Sequence, residues 1–397
     1  MVDEQPDEQA QSGSSGISGL IGKVKQRPGL YGGIGAAVLA ALAIIVVLVV
    51  GGSGGDGDSQ QEAATDASTS TTAAAPAVTT PSGDAMAEDT VPGDTAPTET
   101  VEVDRNPLTG EALDAVSTDR VVAVKVDNAP EAGPAIGLQD AELVIEVPVE
   151  GGLTRLTAMF FDNEPTVIAP IRSVRPVDAD LLAPWRPYLV TTGGQDFVYR
   201  EILAAGIEIL DEGTDGLFQQ IERREPYNWA ATIPLITLQA GEGAPPVAVL
   251  PFGDTELGGT AATSVAVPYS GVADVEWQYD SASDQYQRIV NGEPFQVFPE
   301  YNAELADFAT DTVIVLKAAQ RSAGYTDAAG ADVPTFDVVG FGEVMVFHGG
   351  EVRTGQWLRA SQADGWFFLD DAGQQFSVPV GTVWLEVVPR YVDVTVG

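Results

Sequence analysis

Residues 30–50, LYGGIGAAVLAALAIIVVLVV, run for 21 positions without a charged side chain. At about 1.5 Å of rise per residue, a helix of that length spans the roughly 30 Å hydrocarbon core of a bilayer. A helix in a soluble core is rarely this uniform, because one face normally meets water. Lys23, Lys25 and Arg27 stand just before the run, and cations on that side hold it in the cytoplasm. The run is therefore read as a single-pass signal anchor in the cell membrane. Residues 1–29 become a cytoplasmic tail, and the bulk of the chain lies outside. A cleaved signal peptide would carry a shorter apolar region, about 7–15 residues, closed by small residues. No convincing A-x-A follows here.

Residues 51–104 are rich in Ala, Thr, Ser, Asp, Gly and Pro, with almost no aromatic side chains. Such a segment buries too little apolar surface to offset chain entropy. It is expected to be a disordered extracytoplasmic linker, with Thr and Ser positions open to glycosylation. The texture then changes. VVAVKVD (121–127), LVIEVPV (143–149), TRLTAMFFD (154–162) and YLVTT (188–192) read as strands, and DADLLAPW (178–185) and QDFVYREILAAG (195–206) as helices. The pattern predicts an α/β N-terminal domain with a mixed sheet over residues 105–245. GEGAPP (241–246) marks a joint. Residues 260–393 read as a mostly-β C-terminal domain. Its strands include VEWQYD (275–280), DQYQRIV (284–290), TVIVLKAA (312–319), EVMVFH (343–348) and TVWLEVV (382–388). Asn291-Gly292 and Gly349-Gly350 are its hairpin turn signals.

Charge and composition remove several functions. The chain has 19 Lys and Arg against 58 Asp and Glu, a formal net charge of -39. Nucleic-acid phosphates need basic clusters, and none appears. There is no cysteine and a single histidine, His348. Thiol nucleophiles, thiolate metal sites and multi-histidine zinc sites are excluded. His348 beside Gly349-Gly350 reads as a turn residue. No G-x-x-x-x-G-K-[ST] is present, and neither cofactor nor metal is expected.

Against this acidic background Arg172 and Arg175 fall within one short stretch, PIRSVRPVDAD (170–180). Guanidinium groups grip carboxylates or phosphates in bidentate fashion. Upstream, EVPVEGGLTRLTAMFF reads as a hairpin with Gly151-Gly152 as a two-residue loop. That register sets Glu150 opposite Leu153 and Pro148 opposite Arg155. It places Ile145, Val147 and Val149 with Thr154, Leu156, Ala158 and Phe160 on a core face, and Glu146, Glu150 and Arg155 on the other. In TTGGQDFVYREIL a glycine pair, Gly193-Gly194, precedes a helix starting near Gln195-Asp196. The free N–H groups of such a start can bind an anion, or Asp196 caps the helix. Asp127-Asn128 ends a strand, where α/β sheets often place ligand groups. Two readings of the arginines stand. They converge on an anionic or hydroxyl-rich ligand, or they tie the fold together, Arg155 with Glu146 or Glu150, Arg172 and Arg175 with Asp127, Asp178 or Asp180. A further reading pairs Glu146 with Glu150 for glycoside hydrolysis. The aromatics of WFFLD and TVWLEVV read as core, although Trp366, if exposed, would stack on sugar.

NPLTGEAL (106–113), RVVAVKVDNAPEAGPAIGLQDAELVIE (120–146), VEGGLTRLTAMF (149–160) and PIRSVRPVD (170–178) together resemble the YerB-like lipoproteins, a bacterial family of unknown function. GFGEVMVFHGGEVRTGQW (340–357) and GTVWLEVVP (381–389) continue the likeness, which covers nearly all of 105–392. The resemblance implies a membrane-tethered extracytoplasmic protein with an N-terminal α/β and a C-terminal β-rich domain, and no established activity. Its recognisable residues are Asp127, Asn128, Glu150, Arg155, Arg172, Arg175, Gly193 and Gly194, with Arg224, Pro226 and Asn228 in REPYNW. Relatives attach by a lipidated cysteine, which is absent here. They often carry histidine where this chain has Thr191, Tyr227 and Phe295.

The resulting expectation is a non-enzymatic envelope protein that binds a cell-wall component or an envelope partner. Arg155, Arg172 and Arg175 would supply the anion contact, and Asp127, Asn128, Glu150 and Gln195 would orient it. The alternative is a carboxylate-dependent hydrolase acting on envelope polysaccharide.

Overall fold

The computed structural model describes residues 105–397, apart from 115–116, 220–221 and 244–246. The predicted tail, membrane anchor and linker lie outside the described residues. Among the described residues, no helix is long and apolar enough to cross a membrane.

The strands that build the molecule are β1 (Val122–Asp127), β2 (Leu143–Pro148), β3 (Thr154–Phe160), β4 (Tyr188–Val190) and β5 (Glu208–Leu210), followed by β6 (Ser264–Ser270), β7 (Ala273–Asp280), β8 (Gln285–Val290) and the long β9 (Thr312–Thr326). Then come β10 (Asp332–Asp337), β11 (Gly340–His348), β12 (Glu351–Arg359), β13 (Phe367–Leu369), β14 (Gln375–Phe376) and β15 (Val383–Pro389). The helices are α1 (Val177–Leu182), α2 (Asp196–Ala204) and α3 (Ile233–Ala240). The predicted strands and the two predicted helices form close to their expected places. Both turn signals hold as well. Val290 pairs with Glu293 around Asn291-Gly292, and His348 with Glu351 around Gly349-Gly350. All four turn residues have positive φ, as a two-residue hairpin loop of this hand requires.

Among the described residues the main sheet has 13 strands, with the order β14-β13-β12-β11-β9-β15-β2-β3-β1-β4-β5 along its path. It is mixed. β15 runs parallel to both β9 and β2, and β1 parallel to β4, while β2, β3 and β1 pair antiparallel. The N-terminal and C-terminal segments therefore contribute strands to a single sheet, joined where β15 lies between β9 and β2. The physical reason lies in composition. Every residue of β1, β3 and β15 is buried, so these strands need cover on both faces and a neighbour on each side.

The two faces have different covers. On one, Leu143, Ile145, Val147, Leu385 and Val387 pack with Val177, Leu181 and Leu182 of α1 and Val198 and Ile202 of α2. On the other, Val144, Leu156, Ala158, Val313 and Trp384 pack against Val265, Val267, Val275 and Trp277. The latter belong to a second sheet containing β6, β7 and β8. The result is three layers: helices, main sheet, second sheet.

The β2–β3 hairpin differs from the predicted register. Pro148 faces Thr154, Val147 faces Arg155 and Glu146 faces Leu156. The turn takes three residues, Glu150–Gly152, with Gly151 and Gly152 both at φ 75°. One extra loop residue slips the register by one and exchanges the faces. Arg155 consequently shares the helix-covered face with Val147 and Thr157. Glu146 shares the opposite face with Thr154 and Leu156.

Glu146 is the polar centre of that opposite face. Both its oxygens accept from Arg288 Nη2 at 2.8 Å, and both side chains are 0% exposed. Thr154 Oγ1 donates to it at 2.6 Å and Trp384 Nε1 at 3.1 Å. The Arg288 guanidinium lies 4.2 Å from the Phe295 ring centre and 4.8 Å from that of Trp384. On the neighbouring strand Glu386 stands in register with Glu146. It accepts from Trp277 Nε1 at 2.9 Å and Tyr269 Oη at 2.8 Å. Burial, and then the charge of Glu146, push the Glu386 carboxyl well above its ordinary range. Its neutral form is thereby favoured beside the Glu146–Arg288 pair.

Three outcomes are expected. Expressed alone, residues 105–245 should show no cooperative unfolding by circular dichroism. β2 would lose β15, and with it Trp384, Leu385, Val387 and Val388, each contributing about 1.5–3 kcal/mol of apolar burial. A sharp transition would show that the N-terminal segment has a core of its own. The second outcome concerns Glu386. Its raised folded pKa gives stability that is full below the unfolded glutamate value of about 4.3 and declines as pH rises toward the folded value, by up to roughly 1.4 kcal/mol per pH unit. Glu386→Gln should remove this slope and be no less stable than the parent at neutral pH in urea titrations. Glu146→Gln, which strands Arg288, should cost about 3 kcal/mol or more.

Candidate functional site

Asp127 closes β1, at the end of the strand that runs parallel to β4 and β5. Across β3 it faces Arg155. The backbone N–H of Arg172 donates to the Lys125 carbonyl at 2.9 Å, so the 170–175 stretch is laid along the same strand end. Asp127 Oδ1 accepts from the Ala129 N–H at 3.0 Å. Its Oδ2 lies 2.8 Å from Arg172 Nε. That contact is an ion pair off the hydrogen-bond direction, and both atoms lack a hydrogen bond.

Arg155 is buried beside this pair. Its Nη1 donates to the Ser173 carbonyl at 2.9 Å and its Nε has no partner. Burial pulls its pKa down to about 10, opposed by the charge of Asp127, so it remains a cation at neutral pH. Arg175 is held in bidentate fashion by Glu150, with Nε 2.8 Å from Oε2 and Nη2 on Oε1. Burial lowers its pKa as well. Deeper still, Lys125 Nζ donates to Asp178 Oδ1 at 2.8 Å and to Thr157 Oγ1 at 2.7 Å. The other Asp178 oxygen takes the Arg175 backbone N–H at 2.7 Å. Burial is the largest influence on Lys125 and lowers its pKa.

Arg155, Arg172 and Arg175 thus gather at one end of the sheet, but they do not line one open pocket. The register places Arg155 against Asp127 in the interior, and the 150–152 turn brings Glu150 onto Arg175. Arg172 keeps 27% of its side chain exposed. Its guanidinium carbon lies 5.6 Å from the Tyr227 ring centre, and that of Arg224 lies 5.3 Å from the same ring. Arg224 is exposed and Tyr227 half-buried. Next to them Asn228 is 7% exposed, and its Oδ1 has no partner. Arg172 and Arg224, with the neighbouring Tyr227 and the nearly buried Asn228, form a rim where predicted arginines meet solvent.

The remaining predicted residues have mainly architectural places. A Cβ on Gly194 would stand 2.5 Å from Val174 Cγ2, so that glycine allows close packing. Gly193, at φ 121°, presents its carbonyl to the Val174 N–H at 3.0 Å. Gln195 is the exposed residue preceding α2, and neither it nor Asp196 forms a side-chain cap. Asn128 turns to the other face and donates to Thr154 Oγ1 at 2.7 Å. Glu146 and Glu150 do not face each other. Glu146 is enclosed with Arg288, and Glu150 is occupied by Arg175. Trp366 is 2% exposed, which leaves no face for a sugar. His348 ends β11, with Nδ1 2.9 Å from Thr312 Oγ1. Arg288 was missed. Its signal lay in the alternation of QYQRIV, where it shares the inward parity of Tyr286.

Residues 108–243 match the N-terminal domain, and 265–385 the C-terminal domain, of the family described as "Protein of unknown function (DUF3048)". A Bacillus subtilis (strain 168) relative named as lipoprotein YerB is 44% identical over 70 residues, which is 17% of this chain. The match spans 21% of that relative's length. The crystal structure of YerB protein from Bacillus subtilis superposes with a TM-score of 0.61 at 22% identity, over 73% of this chain and 99% of that one. At that identity the likeness speaks for the fold. With both of its domains matched in order, the chain belongs to the DUF3048 family.

Proposed function

We propose that this protein is a membrane-tethered, extracytoplasmic envelope protein that binds an anionic or hydroxyl-rich cell-wall component, or an envelope partner of that chemistry, without catalysis. Tethering is supported by the charge-free run 30–50 with its preceding cations, and by the lipoprotein name of the Bacillus relative. The cations set the tail in the cytoplasm and the folded part outside.

Binding is carried by one observation. Two guanidinium groups, of Arg172 and Arg224, flank the half-buried Tyr227 ring at 5.6 and 5.3 Å. In a chain of net charge -39, most of the surface repels an anion, and this rim attracts one. The guanidinium groups suit an acidic or hydroxyl substituent, and the unpartnered Asn228 Oδ1 a hydroxyl donor.

The test is calorimetric titration of the full chain with purified, acid-bearing wall fragments. A charge-assisted hydrogen bond contributes about 1.5–3 kcal/mol, so Arg224→Ala should weaken binding about tenfold or more. Its side chain is exposed, and the melting temperature should not move. Adding Arg172→Ala should abolish binding, with some loss of stability because Asp127 loses its ion pair with Arg172. Unchanged affinity in Arg224→Ala and in the double variant would remove the rim as the site.

A further inference from the structure

A separate cleft of about 250 Å³ opens on the other face of the sheet, where residues 127–135 meet β7, β8 and residues 293–296. Arg288 forms part of its lining, although its side chain is 0% exposed. Nη2 is engaged with Glu146, but Nε and Nη1 have no partner. These two nitrogens carry three N–H groups. A buried donor left unmet costs about 1–3 kcal/mol, so the base of the cleft calls for an oxygen acceptor.

The surroundings narrow the acceptor. With Nη2 engaged, neither two-nitrogen edge of the guanidinium is free for a bidentate carboxylate or phosphate. Glu146 already neutralises Arg288, and Glu293 stands in the cleft wall. A second anion is therefore disfavoured and a neutral oxygen favoured. Apolar groups flank the donor, with Phe295, Val275 and Val290 in the same wall. A carbonyl oxygen bearing a small apolar group on one side and an N–H on the other meets all these features. The oxygen goes to Arg288, the apolar group to Phe295 and Val275, and the N–H toward Glu293. The volume holds roughly eight waters at about 30 Å³ each, the size of one substituted sugar ring or one blocked amino acid.

We propose that this cleft binds a small secondary amide, an N-acylated amine, through its carbonyl oxygen on Arg288. The chemistry is shared by N-acetylated amino sugars and by neutral peptide units. It is independent of the Arg172–Arg224 rim.

The experiment uses the full chain with four probes followed by saturation-transfer NMR and by the fluorescence of Trp277 and Trp384. N-acetylglucosamine and N-acetylalanine methylamide are the acylated probes, and glucosamine and acetate the controls. At least one acylated probe should bind, and at least tenfold more tightly than either control. Which of the two binds identifies the source. Val272, at the cleft mouth, is 46% exposed. Val272→Trp should fill the mouth and abolish binding without changing the melting temperature, while Arg224→Ala should leave binding intact. The proposal is overturned if the controls bind as well as the acylated probes, if none binds, or if binding survives Val272→Trp.

Discussion

The pairing of Glu146 with Arg288 bridges 142 residues of sequence and two sheets, and the arrangement of that half of the molecule follows from it. β2 and β15 run side by side with Glu146 and Glu386 in register. Two carboxylates so close in a dry core oppose each other's ionisation. One is met by Arg288, and burial beside it pushes the pKa of the other up. A buried ion pair of this kind contributes little net stability compared with an apolar core of the same shape. Its effect is selective. Any other docking of the second sheet would leave Glu146 or Arg288 charged and alone, at a cost of several kcal/mol. The pair therefore fixes how the second sheet sits on the first. The tryptophans that donate to the carboxylates, Trp277 and Trp384, are held at 5.3 Å from each other by the same constraint.

The helix-covered face solves the same problem differently. Lys125, Arg155 and Arg175 are all drawn into the protein, and each pKa is lowered by burial. Asp178, Asp127 and Glu150 compensate them. In so acidic a chain an internal cation readily finds an acid. The consequence for function is that most of the arginines singled out by the sequence hold the sheet end together. Arg172 is the exception, since its partner Asp127 is almost fully buried while its own guanidinium reaches the surface.

Much of this was legible in advance. Runs such as VAVKV and TVWLEVV announce strands buried on both faces, and Asn-Gly and Gly-Gly announce two-residue hairpins at 291–292 and 349–350. The same Gly-Gly signal misled at 151–152. A glycine pair fits a two-residue loop and also a three-residue turn that begins on Glu150, and nothing local separates them. The slip reversed the faces of Glu146 and Arg155 and made them look like neighbours. The sharing of one sheet by two segments was not legible either. A strand that is apolar on both faces states that it needs neighbours but not which ones. The pairing of Arg172 with Asp127 stood among the alternatives, because an arginine in so acidic a chain calls for an acid partner. Arg288 was hidden because a single arginine in an alternating strand looks like a solvent-facing residue unless its parity is compared with Tyr286.

Two adjacent residues at the end of β1 explain how one strand serves two chemically different places. Side chains alternate across a strand, so Asp127 points toward Arg172 and Arg155, and Asn128 toward Thr154 and Glu146. On the first side Arg172, paired with Asp127, keeps part of its side chain exposed beside the Tyr227 ring. On the second the Arg288 guanidinium is paired with Glu146, lies against the Phe295 and Trp384 rings, and has no partner at Nε and Nη1. The same residue type thus acquires two different surroundings from its neighbours alone.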